Sequence, residues 1–512
     1  MSITKRIAFG AAASWFSRGV TILLGLVLMP VLFRHLPKEE LGVWLLLGQS
    51  WAALGIFDLG FGVTLTRRIA FATGKSVSKS GFHLTDDSLN ELADLVATGK
   101  RVYRGLAVLA FAVSFGSGFF YLKSLHLGAV SLSHVWAAWG ILCISQALSV
   151  WATIWTCLLQ GVGYIGWDAI LASLVSALTL LAQIIAVLLG GGLIALAAIA
   201  AGGALLQRFL VLGFARRKRP ELFKLRGVWA GETVRSMISP ALRAWLTASG
   251  IVLIHNTDQF FVAGFAGTTK IPAYRAAYLV ILNLHLLAGV FAGASFPFIG
   301  QLWQAGDLTQ VQRIVARNLR IGLLIVMAGV GCVLVLGDRL FNVWLGPGNF
   351  IGYPILVIFA ITFVLEQQSY ILSMGCRATE DEAFPMWTIS GGLLKLLFAF
   401  LLAQRFGLLG IAVATLAAQV LTNHWYMVVR GLWRLEMNFR DHLIHTVAPC
   451  VLVFLAAAGA TGVSLRILAA SPEWSRVVGG GVAACAVLSI ALWFLVFEGG
   501  HRRRLAALFV SQ

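Results

Sequence analysis

Charged side chains lie inside long apolar runs of this 512-residue sequence, and their types indicate what chemistry the chain can do. Arg18 falls within the run at 10–33, and Lys395 lies near the centre of the run at 385–404. A cation within a lipid bilayer is costly and normally faces a bundle interior or a water-filled cavity. Arginine binds phosphate through two parallel hydrogen bonds, and lysine binds it as a point charge. These two residues therefore predict a site for a phosphate-bearing anion, and a structural ion pair stays open as the alternative for each of them.

Four further ionisable residues lie in or near the apolar runs. Arg243 follows a serine–proline helix start near one surface, so it is either an interfacial anchor or a third contact to the anion. Asp258 and Glu366 lie within runs, and His255 lies one turn from Asp258. Each acid could neutralise a buried cation or take up a proton or Na⁺ during a transport cycle. These three residues are candidates for ion coupling.

Uncharged polar residues recur at helical spacing within several runs, and two interpretations of them stay open. Such stripes commonly join neighbouring helices, at a small gain in stability. Several stripes together with buried charges instead favour a hydrated central space. The candidate cavity-lining residues are Ser14, Thr21, Ser149, Thr153, Gln160, Gln183 and Gln419.

The elements that position these residues are predicted to be membrane-spanning helices. The chain is 59% hydrophobic and 12% charged, against about 25% charged residues in ordinary soluble proteins. Many apolar runs are long enough to cross a hydrocarbon core of about 30 Å. The fourteen predicted spans are 10–33, 41–63, 103–122, 133–160, 168–189, 193–213, 241–264, 274–299, 317–337, 353–374, 385–404, 408–429, 447–468 and 477–498.

The 39 Lys and Arg residues, against 21 Asp and Glu, concentrate in alternate loops. The segment 208–243, which includes Arg208, is the most basic of them. This asymmetry predicts that both termini face the cytoplasm. The basic residues form no continuous stripe, so we expect no nucleic-acid partner. No CxxC or HExxH motif occurs, and we expect no metal site and no enzymatic activity. We expect no cofactor either, apart from H⁺ or Na⁺ as a coupling ion.

The basic segment also suggests how the chain is divided. We predict an N-lobe of six spans at 1–215, a basic cytoplasmic linker at 216–238 and a C-lobe of six spans at 239–430. Two further spans and a basic tail follow at 431–512. A weak internal repeat aligns ELADLVATGKRVYRGL (91–106) with DLTQVQRIVARNLRIG (307–322). The fold class is therefore an all-α polytopic membrane protein with two pseudo-symmetric lobes.

Several segments resemble a known family. They are LPKEELGVW, FDLGFGVTLTRR, HNTDQFFVAGFAG, SFPFIGQLWQAGD and FGLLGIAVATLAAQ, all before residue 430. They are similar to Wzx-type polysaccharide and O-antigen flippases of the multidrug/oligosaccharidyl-lipid/polysaccharide exporter superfamily. The resemblance implies two lobes around a cationic cavity and alternating access. It also implies translocation of an undecaprenyl-pyrophosphate-linked oligosaccharide from the inner to the outer leaflet of a bacterial inner membrane, with polysaccharide polymerase or assembly proteins as partners.

Three alternatives stay open at this stage. A cation-coupled drug or metabolite exporter of the same superfamily would have an acid-rich cavity. A lipid II flippase usually carries more cavity arginines in the first two spans than the single Arg18. A membrane glycosyltransferase would have a large outer loop, and no predicted outer loop is long enough.

Overall fold

The computed structural model describes residues 3–74, 77–78, 81–82, 86–125, 127–128, 130–224, 227–379 and 381–496. The side chains of 3–18 and 51–55, and of a few single positions, lie outside this description. The chain forms two compact units that divide between Pro272 and Ala273.

The described residues of the first unit form ten α-helices and one small hairpin. The helices are α1 (Ile3–His35), α2 (Lys38–Ala52), α3 (Phe61–Gly74), α4 (Asp86–Ser124), α5 (Leu132–Gly161), α6 (Ile165–Leu188), α7 (Leu193–Lys218), α8 (Glu221–Lys224), α9 (Gly231–His255) and α10 (Asp258–Ala266). A 3₁₀ helix, Ala53–Asp58, follows α2, and another, Thr268–Lys270, follows α10. Val77–Ser78 pairs antiparallel with Gly81–Phe82.

The second unit continues with eight helices. They are α11 (Ile271–Gln304), α12 (Leu308–Leu345), α13 (Tyr353–Ala378), α14 (Pro385–Gln419), α15 (Trp425–Arg434), α16 (Phe439–His442), α17 (Ala448–Ile467) and α18 (Glu473–Leu495). Two π-helical segments, Val420–His424 and Leu443–Val447, precede α15 and α17. Helices α12, α17 and α18 pack around a shared apolar core.

The prediction of an all-α polytopic membrane protein is confirmed. Within the described part of the chain, eleven helices are long and apolar enough to cross a membrane. The two units divide between Pro272 and Ala273, well after the predicted linker at 216–238. Helices α9 and α10 therefore belong to the first unit. The lobe boundaries at 216–238 and 430 stay a prediction.

The predicted span at 41–63 is not one continuous helix. Leu59 and Gly60 have φ angles of 48° and 73°, which end the 3₁₀ helix and start α3 in a new direction. A β-carbon at Gly60 would collide with the backbone of Ala241 in α9, so only glycine fits there. Asp58 secures the break: one carboxylate oxygen accepts from the Gly62 N–H at 2.8 Å, and the other accepts from Tyr103 at 2.7 Å.

Helix α14 contains two antiparallel arms, 385–406 and 408–419. Gly407 has a φ of 54° and a ψ of −131°, which no regular helix allows. A β-carbon at Gly391, in the first arm, would lie 2.6 Å from Thr422 Oγ1 and 3.2 Å from Asn423 Nδ2, which follow the second arm. This turn brings the first arm against the π-helical segment, as the predicted spans at 385–404 and 408–429 require.

Candidate functional site

Two of the three predicted substrate cations, Lys395 and Arg243, lie in different surroundings. Lys395 lies in the first arm of α14, and none of its surface is exposed. Arg243 lies on α9 and is exposed. Arg18 lies within α1, but its side chain is outside the described residues, as is that of Ser14. The convergence of Arg18 and Lys395 on one cavity therefore stays a prediction.

Glu366 lies in a layer of polar side chains inside the second unit. Its Oε2 is 3.9 Å from Nδ1 of His424, which also lies 3.2 Å from the Ser369 hydroxyl. Glu366 and Ser369 are on α13, and His424 ends the π-helical segment after α14. A π-helical turn is rare and is frequently found at functional sites, because the extra residue changes which side chains face inward.

Other polar atoms in this layer have no hydrogen-bond partner among the described residues. The side-chain amide nitrogen and oxygen of Gln419 and of Gln367 are buried without such a partner, and so is Nε2 of His424. Lys395 precedes Gly407 by as many residues as Gln419 follows it, so the two lie at the same depth in the hairpin. Buried polar groups are normally hydrogen-bonded, often through internal water. The arrangement is that of a layer able to hold water or an ion.

The predicted polar stripe on α5 faces neighbouring helices of the first unit. Thr153 donates to the Ser149 carbonyl at 3.0 Å, and the Ser149 hydroxyl is buried without a hydrogen-bond partner among the described residues. Gln160 donates to Asp168 of α6 at 2.8 Å. At least part of this stripe therefore joins helices, and its lining of a cavity stays a prediction.

Arg208 of α7 contacts the polar stripe on α5, although the sequence groups it with the basic loop. Its Nη1 donates to Thr156 Oγ1 of α5 at 2.7 Å. Helix α7 continues to Lys218, so Arg208 lies about 15 Å from that end at 1.5 Å per residue. The sequence feature that could have identified Arg208 as a residue within the span is its separation from the RRK cluster at the end of α7. Arg208 is a cation within a candidate span and a further candidate contact for an anion.

His255 and Asp258 flank an interruption between two helices. His255 ends α9 and Asp258, which is 6% exposed, begins α10. Gln49 of α2 donates to Asn256 in the gap. Interrupted helices within a membrane expose backbone groups that can coordinate ions and substrates. The location is compatible with ion coupling, which stays a prediction.

The remaining two cavity candidates are in the first unit. Gln183 lies on α6 and is 5% exposed, whereas Thr21 lies on α1 and is exposed. Their roles as lining residues also stay a prediction.

A family model described as "Polysaccharide biosynthesis protein" matches residues 8–303, which is more than half of the chain. The chain belongs to the polysaccharide biosynthesis protein family. A Shigella flexneri protein of this kind, provisionally named an O-antigen transporter, is 23% identical over 426 residues, covering 81% of this chain and 94% of its own.

Solved structures of the exporter superfamily share the fold of this polysaccharide biosynthesis protein. The lipid II flippase MurJ, in an inward closed conformation, matches with a TM-score of 0.66 and 14% identity, over 95% of this chain and 99% of that one. An inward-facing multidrug transporter of the MATE family matches with a TM-score of 0.62 and 14% identity, over 85% and 95%. A transporter from Pyrococcus furiosus matches with a TM-score of 0.59 and 17% identity, over 84% and 96%. The family match confirms the resemblance noted in the sequence, and the fold is that of the solved multi-pass membrane proteins above.

Proposed function

We propose that the protein translocates an undecaprenyl-pyrophosphate-linked oligosaccharide, an O-antigen or exopolysaccharide repeat unit, from the inner to the outer leaflet by alternating access. The observation that carries this proposal is the fully buried Lys395 in a chain of the polysaccharide biosynthesis family. A cation inside a membrane-spanning segment commonly marks the pathway of a charged substrate. The family supplies the reason for expecting that substrate to carry a pyrophosphate.

In this proposal, the cations contact the pyrophosphate at different stages of transport. Lys395 and Arg18 bind it at mid-membrane, and the exposed Arg243 receives it from the cytoplasmic side. Within the first unit, Arg208 is a separate candidate contact for an anionic group, and one of its nitrogens already donates to Thr156. Guanidinium and ammonium groups bind phosphate more strongly away from water, because the local dielectric is lower.

Aromatic and hydroxyl groups contact the sugars in this proposal. Trp387 and Tyr426 stack with their ring centroids 4.7 Å apart, and Trp425 meets Trp387 edge-on at 5.1 Å. Trp425 is 47% exposed, so it offers a flat apolar face. The polar stripes, including Ser149 and Thr153, supply hydrogen bonds to hydroxyl groups.

The driving force comes from the membrane potential and from ion exchange. A potential that is negative inside favours outward movement of negative charge by about 2.3 kcal/mol per charge per 100 mV. Protonation or Na⁺ binding at Glu366 or Asp258 provides a second source of energy. This assignment places the chain in a bacterial inner membrane, with both termini in the cytoplasm and with polysaccharide polymerase or assembly proteins beside it.

The experiment is an assay of which leaflet holds the lipid-linked sugar in cells that lack the gene. Deletion should leave the lipid-linked oligosaccharide on the inner leaflet, and the intact gene should restore its transfer. Arg18→Ala should fail to restore it at normal protein levels. Transfer of the oligosaccharide in the deletion strain at the normal rate would refute the function. A deletion that instead traps lipid II on the inner leaflet would support a lipid II flippase. A deletion that only sensitises cells to drugs would support a drug exporter.

A further inference from the structure

The first unit contains a cavity that the transport of a pyrophosphate does not use. It has a volume of about 370 Å³ between α2, α4, α5 and α10 and is open to the surface at Ser117. Its walls are mostly aliphatic and aromatic; Leu46, Leu122, Trp139 and Phe260 are among them. Ligand pockets in proteins commonly occupy about 300–1,000 Å³. An apolar cavity of about 150 Å³ already binds a molecule as large as benzene.

Three of the four hydroxyl groups in this wall donate hydrogen bonds to backbone carbonyls of the protein. Ser50 donates to the Leu46 carbonyl at 3.2 Å, and Ser117 donates to the Ser114 carbonyl at 3.2 Å. Tyr121 donates to the Phe260 carbonyl at 2.9 Å. A water molecule needs two to four polar partners to be held in a cavity. These three hydroxyl donors are occupied, so the wall offers few partners to water and is better suited to hydrocarbon.

One polar group in the wall has no hydrogen-bond partner among the described residues. It is the indole Nε1 of Trp139, whose residue is 8% exposed. This nitrogen lies against Gly118, where a β-carbon would collide with the indole ring. Both residues line the cavity. A buried N–H without an acceptor is costly, so the natural occupant brings an oxygen to this point.

The extent of the cavity along α4 is close to half the thickness of a hydrocarbon core. Its wall on α4 runs from Ser114 to Leu122, and α4 ends at Ser124. At 1.5 Å per residue, this wall extends from about 3 Å to about 15 Å from the helix end. One half of the hydrocarbon core is about 15 Å thick.

We propose that this cavity binds the hydrocarbon chain of a membrane lipid, with an oxygen at the head of that chain accepting a hydrogen bond from Trp139. The isoprenoid chain of a lipid-linked sugar and the acyl chain of a glycerophospholipid share this chemistry. Their head oxygens are a phosphate oxygen and an ester carbonyl, respectively. The inference stands apart from the proposed transport function, because either lipid satisfies it.

The test is native mass spectrometry of the full-length, delipidated protein in detergent, titrated separately with undecaprenyl phosphate and with phosphatidylglycerol. We expect saturable binding of at least one lipid. Ser117→Phe fills the cavity and should abolish that binding. Ala112→Phe places the same ring at an exposed position of α4 that does not line the cavity, and should leave binding unchanged. The lipid that binds identifies the source of the chain.

A second variant protects the test against a failure of Ser117→Phe to fold. Trp139→Phe keeps most of the ring and removes the N–H, and should weaken binding by about threefold to tenfold, the usual value of one hydrogen bond. The inference is overturned if neither lipid binds saturably. It is also overturned if Ser117→Phe, correctly folded, and Ala112→Phe bind both lipids alike. Unchanged affinity in Trp139→Phe would remove the role given to the indole.

Discussion

Replacement of Glu366 by glutamine separates the two driving forces proposed for transport. Glutamine preserves the size of the side chain but cannot take up a proton. Glu366 lies 3.9 Å from His424, and the segment that carries His424 packs against the arm of α14 that carries Lys395. An ionised Glu366 therefore competes with the pyrophosphate for the positive charge of Lys395.

The magnitude follows from Coulomb's law. Two unit charges 4 Å apart interact by about 1–4 kcal/mol as the effective dielectric constant falls from about 80 to about 20. Glu366→Gln should thus tighten binding of the pyrophosphate by about fivefold or more. A gradient of about one pH unit is worth about 1.4 kcal/mol per proton, which corresponds to about a tenfold change in the equilibrium ratio of the lipid between the two leaflets. The variant should lose this response and keep the response to membrane potential.

The assay is flipping of a fluorescent undecaprenyl-pyrophosphate-linked oligosaccharide in proteoliposomes, with the pH gradient and the potential imposed separately. Glu382→Gln is the matched control, because Glu382 is an exposed acid in the connection between α13 and α14. It should behave like the unchanged protein. A Glu366→Gln variant that responds to the pH gradient as strongly as the unchanged protein would refute proton uptake at this residue.

Three further outcomes are expected from single substitutions. Arg208→Met should slow flipping by tenfold or more, since a charge-assisted hydrogen bond contributes about 1.5–3 kcal/mol, and Arg208→Lys should recover part of the rate; equal rates in all three proteins would contradict a role for the arginine. Tyr103→Phe removes the donor to the carboxylate of Asp58 and should cost about 1–3 kcal/mol of stability, measured as a lower melting temperature; an unchanged melting temperature would refute this. Gly407→Ala meets no atom within 4 Å, so its expected loss of about 1–3 kcal/mol is backbone strain; Gly105→Ala, at an uncrowded helical position, should not lower the melting temperature, and equal melting behaviour would contradict the strain.

The sequence predicts the parts of the fold that follow from length and hydropathy. The runs at 133–160, 168–189 and 193–213 match α5, α6 and α7 closely. The gap between the predicted spans at 404 and 408 matches the turn at Gly407, because glycine tolerates the positive φ angle needed there. The burial of Lys395 also follows from its central position in an apolar run.

Interruptions and long-range partners could not be predicted. The break at Leu59 involves a non-glycine residue with a positive φ angle, which no local pattern signals. His424 meets Glu366 only because a hairpin and a π-helical turn bring distant segments together. The sequence groups Arg208 with a basic loop because most of the nearby positive charge belongs to the RRK cluster at the end of α7.

The central claim is that cations deep in the membrane hold the pyrophosphate of the substrate. The most direct test is the rate of flipping by purified Arg18→Ala, Lys395→Ala double variant in proteoliposomes, with an Arg405→Ala variant, altered at an exposed cation of α14, as the control. The account predicts that the double variant loses flipping while the control retains it, with both proteins folded. Flipping by the double variant at the rate of the unchanged protein would contradict the account.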